Sequence, residues 1–169
     1  MRLTHILALT LCVMLCGCAG YKLGPTGGQT AGAKSVQITP FVNNSQEPGL
    51  ADEATSALRK AIQRDGTFKL ATHGDSDLIV TAVITDYRRR ELTLLRGDLR
   101  TVRDYQVTIV AHVTVRERAS NKVILDREVD GSTLLRVGVD FGSSERQAAP
   151  LLAEDLARGI KDLLVDGSW

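Results

Sequence analysis

Between Tyr105 and Arg116 the chain alternates with a regularity that governs what it can become. Tyr105, Val107, Ile109, Ala111, Val113 and Val115 fall on one parity, while Gln106, Thr108, His112, Thr114 and Arg116 fall on the other, with Val110 the apolar exception. Successive side chains of a strand point to opposite faces, so the run from about Leu99 to Arg118 reads as a long strand with one dry face and one wet face. That is the pattern of an antiparallel sheet covered on a single side.

The dry face needs a cover, and two amphipathic helices can supply it. Leu50, Ala54, Ala57, Leu58, Ala61 and Ile62 recur at the helical period. Asp52 and Glu53 in the first turn and Arg59, Lys60 and Arg64 toward the end suit the helix dipole, and Asp65-Gly66 closes the element. Leu152, Leu156, Ile160, Leu163 and Leu164 mark a second helix that ends at Asp166-Gly167. Its start is open between a cap at Ser143 or Ser144, which leaves Pro150 inside, and a start near Ala149 with Pro150 in the first turn.

Further strands are predicted at Val36 to Phe41, at Phe68 and Leu70, at Leu78 to Tyr87, and at Val123 to Val129. The order is strand, helix, several strands, helix. This predicts an α+β two-layer sandwich, with two helices on one face of a mostly antiparallel, about four-stranded sheet. At 169 residues with 43% hydrophobic and 24% charged content, one ordinary domain is expected.

The amino terminus reads differently. Arg2 is followed by an apolar stretch from Ile6 to Leu15, about half of what a bilayer span needs. It ends in Leu15-Cys16-Gly17-Cys18, which resembles a bacterial lipobox, with Cys18 as the cysteine that is acylated. The division expected is therefore a signal peptide at 1–17, a lipidated flexible tether at 18–34 rich in Gly, Thr and Ala, and a folded domain at 35–169. Several acyl chains hold a protein at a membrane where one would not, since each buried CH₂ contributes about 0.8 kcal/mol. Ala19 follows the cysteine in place of the aspartate that marks inner-membrane retention, so delivery to the outer membrane is expected.

All three cysteines, Cys12, Cys16 and Cys18, lie in this leader region, so the mature chain keeps one, and that one is lipidated. Neither a disulfide framework nor a thiolate metal site can then form. The mature histidines, His73 and His112, lie far apart in sequence, and no carboxylate spacing singles out an acid–base pair. No enzyme, no metal and no cofactor are expected. The 21 basic and 20 acidic residues nearly cancel and aromatics are 4%, which argues against nucleic acid as a partner.

Charge is nevertheless concentrated. Arg88, Arg89, Arg90, Arg96, Arg100 and Arg103 are opposed in that stretch only by Glu91 and Asp98. Guanidinium groups make bidentate contacts with phosphate and carboxylate that an ammonium cannot reproduce. The run reads either as a rim facing an anionic partner or as a solvated strand edge whose charge prevents sheet-to-sheet pairing. Glu117, Asp126, Glu128 and Asp130 alternate with basic residues across the last hairpin, which suggests cross-strand ion pairs.

Taken in order, several short pieces resemble the LptE family of lipopolysaccharide-assembly lipoproteins. They are Cys18-Ala19-Gly20-Tyr21-Lys22-Leu23, Val36 to Phe41 with Asn43-Asn44, and Pro48-Gly49-Leu50 opening a helix closed by Asp65-Gly66. Ser76-Asp77-Leu78-Ile79-Val80, the strand ending in Tyr87, Tyr105-Gln106-Val107 and Glu154-Asp155-Leu156-Ala157 follow. The resemblance implies a non-enzymatic outer-membrane lipoprotein that sits in or against an LptD-type β-barrel, assists its assembly and passes lipopolysaccharide to the cell surface. By similarity the lipopolysaccharide contacts fall at Arg96, Arg100 and Arg103, with Arg146 a looser match; Arg88, Arg89 and Arg90 extend that set without being a clear family feature. The alternative is a tethered periplasmic scaffold or activator lipoprotein for an envelope enzyme or secretion complex.

Overall fold

The computed structural model describes residues 32–72, 74–95, 98–137 and 140–167. The elements run β1 (Lys34–Ile38), β2 (Val42–Asn43), α1 (Leu50–Asp65), β3 (Phe68–Ala71), β4 (Leu78–Leu95), β5 (Asp98–Glu117), β6 (Val123–Arg136) and α2 (Phe141–Asp166). One sheet contains all six strands in the order β3-β1-β4-β5-β6, with β2 also pairing β4. The α+β arrangement of two helices and a sheet is as predicted; the sheet's size and character are not. It is mixed, because β1 lies parallel to both β3 and β4, while β4, β5 and β6 are antiparallel. The cause is α1, which carries the chain from β1 to β3. A helical crossover returns a strand parallel to the one it left, whereas a tight hairpin turns it around.

The alternation on β5 holds in full at its centre: Val107, Ile109, Ala111, Val113 and Val115 are buried and Tyr105 half-buried. Val36, Ile38, Leu78, Val80, Ala82 and Ile84 extend the same layer, and Leu50, Leu58, Ile62, Leu152, Leu156, Ile160 and Leu164 cover it from the helices. α1 touches β1, β2 and β3, while α2 touches β5 and β6, and the two helices pack on each other. Thr55, buried in α1, accepts the Phe41 N–H at 2.9 Å and donates to the Ala51 carbonyl at 2.6 Å. It thereby satisfies a backbone donor that burial would otherwise strand.

Several boundaries differ from those predicted. β1 ends at Ile38, short of Phe41, and Val42–Asn43 pairs with β4 as a separate strand. β4 runs past Tyr87 to Leu95, since backbone pairing with β5 continues through the arginines regardless of side chain. β6 runs past Val129 to Arg136 and through Gly131. That glycine is a packing device: a Cβ there would lie 2.5 Å from the Leu156 nitrogen and 2.8 Å from the Leu152 carbonyl oxygen, both helix backbone. α2 starts at Phe141 with Asp140 as N-cap, whose Oδ1 accepts the Ser143 N–H at 2.6 Å, so Ser143 and Ser144 sit inside the first turn and Pro150 inside the helix. Hydrogen bonds from Ser143 hold the Asp140 carboxyl below its usual range.

Candidate functional site

The arginine-bearing end of the sheet is built on an irregularity in β4. Ile84 pairs with Ala111, but Asp86 pairs with Val110, leaving Thr85 as an extra, unpaired residue. A bulge of this kind shifts the side-chain phase by one. Before it, the even positions Leu78, Val80, Ala82 and Ile84 face the helices. After it, Tyr87, Arg89 and Glu91 lie opposite Ile109, Val107 and Tyr105 and so face the helix layer, whereas Asp86, Arg88 and Arg90 lie opposite Val110, Thr108 and Gln106 on the wet face. The arginine run is therefore divided between two faces.

On the helix side, Arg89 is fully engaged. Its Nε lies 2.7 Å from Glu145 Oε1 on α2, and another nitrogen lies 3.6 Å from Glu47 in the loop before α1. Its guanidinium carbon sits 5.1 Å from the ring centres of both Tyr87 and Phe141, within cation–π range. The Tyr87 hydroxyl donates to the same Glu145 oxygen at 2.8 Å, and Tyr105 meets Phe141 edge-on at 5.3 Å. Burial, reinforced by the hydrogen bond to Glu145, pushes the Tyr87 phenol up to about 12. Burial and the neighbouring Glu145 charge raise Glu47, against the pull of Arg89. This knot ties α2, β4 and the loop at Glu47 together.

On the wet side the arginines reach solvent. Arg88 is exposed and its Nε rests 2.6 Å from Asp86, whose carboxyl is held below its usual range by that hydrogen bond. Arg90 is exposed and makes no ion pair with a described residue. Arg136 joins this face at the end of β6, opposite Asp104 and 2.8 Å from it. The sequence reading missed Arg136 by ending that strand at Val129. Arg100 and Arg103 lie on β5 in the same end of the sheet, with their side chains outside the described residues; Arg96, Cys18 and His73 lie outside them altogether. Arg146 is exposed in the second turn of α2, in the helix layer rather than beside Arg88 and Arg90.

Further back along the wet face, β6 carries acids. Asp126, Glu128 and Asp130 project from β6 opposite Thr114, His112 and Val110. His112 Nε2 lies 2.6 Å from Asp126, but Arg127 pairs in register with Val113 and faces the other way. The cross-strand ion pairing expected of these acids is thus not formed by the arginine between them. On the wet face the acids of β6 thus lie between Arg116 and the row of Arg88, Arg90 and Arg136, with Asp86 and Asp104 among the latter.

A helix pair covering one face of a mixed sheet, with the other face uncovered among the described residues, defines a class of small two-layer α+β folds that includes bacterial lipoproteins. Among solved structures, a hypothetical protein from Chlamydia trachomatis is similar at TM-score 0.56 and 14% identity, over 78% of this chain and 96% of that one. A Xanthomonas campestris protein is similar at TM-score 0.56 and 12% identity, over 86% and 91% of the two chains. A minor lipoprotein from Acinetobacter baumannii is similar at TM-score 0.52 and 16% identity, over 78% and 92%. At such identities the likeness concerns the fold. Comparison with curated protein sequences finds no match. The model of the lipopolysaccharide-assembly family LptE matches residues 33–164, nearly the whole described domain, and the chain belongs to that family.

Proposed function

We propose that this protein is a non-enzymatic outer-membrane lipoprotein, anchored by acyl chains on Cys18, that partners an LptD-type β-barrel in assembling lipopolysaccharide at the cell surface. The observation that carries the reading is the family match over residues 33–164. The arginines on the wet face support it. Lipopolysaccharide bears phosphates and acidic sugars, which guanidinium forks recognise. Arg88 and Arg90 on the wet face, with Arg96, Arg100 and Arg103 on the hairpin, form the proposed contact, and Arg146 a second point of approach. Arg89 has its charge met by Glu145 and Glu47 and holds the end together instead of binding. A barrel lumen is polar, and a bare polar sheet face is compatible with one.

Affinity purification of the lipidated protein from outer membranes should recover one large barrel protein in near-equal amount. Recovery of a cell-wall synthase alone would favour a scaffold or activator role. Arg96→Glu with Arg100→Glu should weaken lipopolysaccharide binding with little change in the melting transition; undiminished binding would return these residues to the guarding of a strand edge.

A further inference from the structure

β4 has an open side beyond Ile84. Up to that point β1 and then β2 occupy the lane beside it, and the last bond is Asn44 N–H to the Ile84 carbonyl at 2.9 Å. The chain then turns away through Ser45 to Gly49 into α1. Among the described residues, no strand pairs β4 on that side from Asp86 to Leu95. An open cleft of about 540 Å³ begins there, lined by Asn44 to Glu47 on one side and by Thr85, Asp86, Tyr87 and Arg89 on the other.

We propose that this open edge of β4 accepts an acidic, extended segment of a partner protein as an added strand. Strand addition draws its affinity from main-chain bonds and its selectivity from alternate side chains, and both are present here. In an antiparallel ladder alternate residues turn their N–H and C=O away from the partner strand. The phase after the bulge puts Tyr87, Arg89 and Glu91 in that position. The Tyr87 N–H does point outward, where the Asp86 carboxylate accepts it at 2.8 Å. Arg88 and Arg90 flank the lane two residues apart on the wet face, matching acids two residues apart on an incoming strand. Leu92, 47% exposed, adds an apolar contact further along.

A second copy adding antiparallel through its own β4 about Arg89 would set Arg88 against Arg90. Charged edges ordinarily serve to repel other strands; here the guard selects by sign. This inference goes beyond lipopolysaccharide contact and shares Arg88 and Arg90 with it, so its test reads the backbone.

The probe is a blocked decapeptide of five Val-Glu repeats, added to the full lipidated protein in detergent. Amide hydrogen exchange at Arg89 and Glu91 should slow at least about tenfold at saturation, as new main-chain bonds require. The same peptide N-methylated at alternate residues should not protect them, and a Val-Lys version should not bind. Glu91→Pro removes one outward donor and no bond to β5; it should weaken peptide binding about tenfold while lipopolysaccharide binding persists. If that variant does not fold, Arg88→Glu with Arg90→Glu should abolish peptide binding in its place. Equal binding of the N-methylated peptide, equal binding of the lysine peptide, or concentration-dependent self-association that blocks the peptide would each overturn the proposal.

Discussion

The two ends of the sheet are held by different physics. Up to Thr85, apolar residues on β1, β4 and β5 are sealed under the helices. Past Thr85, β5 and β6 still bury Val107, Ile109 and Leu135 and Gly131 still lies against α2, but β4 now contributes Tyr87 and one arginine shared between two carboxylates and two rings in place of aliphatic side chains. Along β4 the first stretch is held by the filling of volume alone, whereas the second depends on charge as well. A region of the second kind can keep arginines facing water without losing its place in the fold.

The largest effect that would sharpen this contrast is at the helix–sheet contact. Gly131→Ala forces Leu156 and its helix away from β6 and should cost about 3 kcal/mol, as overpacking does in a close-packed core. Chemical denaturation would measure it, and a loss below a few tenths would mean that the two layers are loosely stacked. A smaller effect is expected at the knot. Glu145→Ala removes the acceptor of Tyr87 and the partner of Arg89, and should cost about 1 kcal/mol, since the guanidinium is partly solvated and the pair is screened. The phenol of Tyr87 should titrate below about 12 in that variant, and ultraviolet titration would follow it. An unchanged phenol would leave burial as the whole cause.

The smallest effect is at the start of α2. The folded-state pKa of Asp140 is depressed, so the stability its cap contributes is present above the ordinary carboxylate value and is lost as pH falls through the depressed one. Exchange of the Ser143 amide should therefore quicken in that acid window while the amides of β5 stay protected. Simultaneous loss of both would show that the helix start and the sheet open as one unit.

Much of the body was legible because burial imposes a period. The alternation of β5 and the helical spacing of Leu50 to Ile62 are direct records of which side faces the core. What escaped was whatever left no periodic trace. The parallel placing of β1 depends on a crossover, and β2 is only two residues long. The continuation of β6 through Gly131 was hidden because a glycine needed for close approach looks like a turn. At the candidate site the arginines were visible as a run, but their division between faces was not. Tyr87, Arg89 and Glu145 meet only because of a bulge that no composition reveals, and Glu145 lies 58 positions from Tyr87.

Thr85 has a consequence out of proportion to its size. By standing unpaired it acts as a counter: the side chains from Asp86 to Glu91 look inward or outward according to whether that one position is present. Its hydroxyl donates to the Val110 carbonyl at 3.3 Å, and its presence decides which arginine is kept as an internal tie and which are shown to the surroundings. A family of such chains could thus exchange the outward and inward rows by gaining or losing a single codon, with the sealed body beneath left as it was.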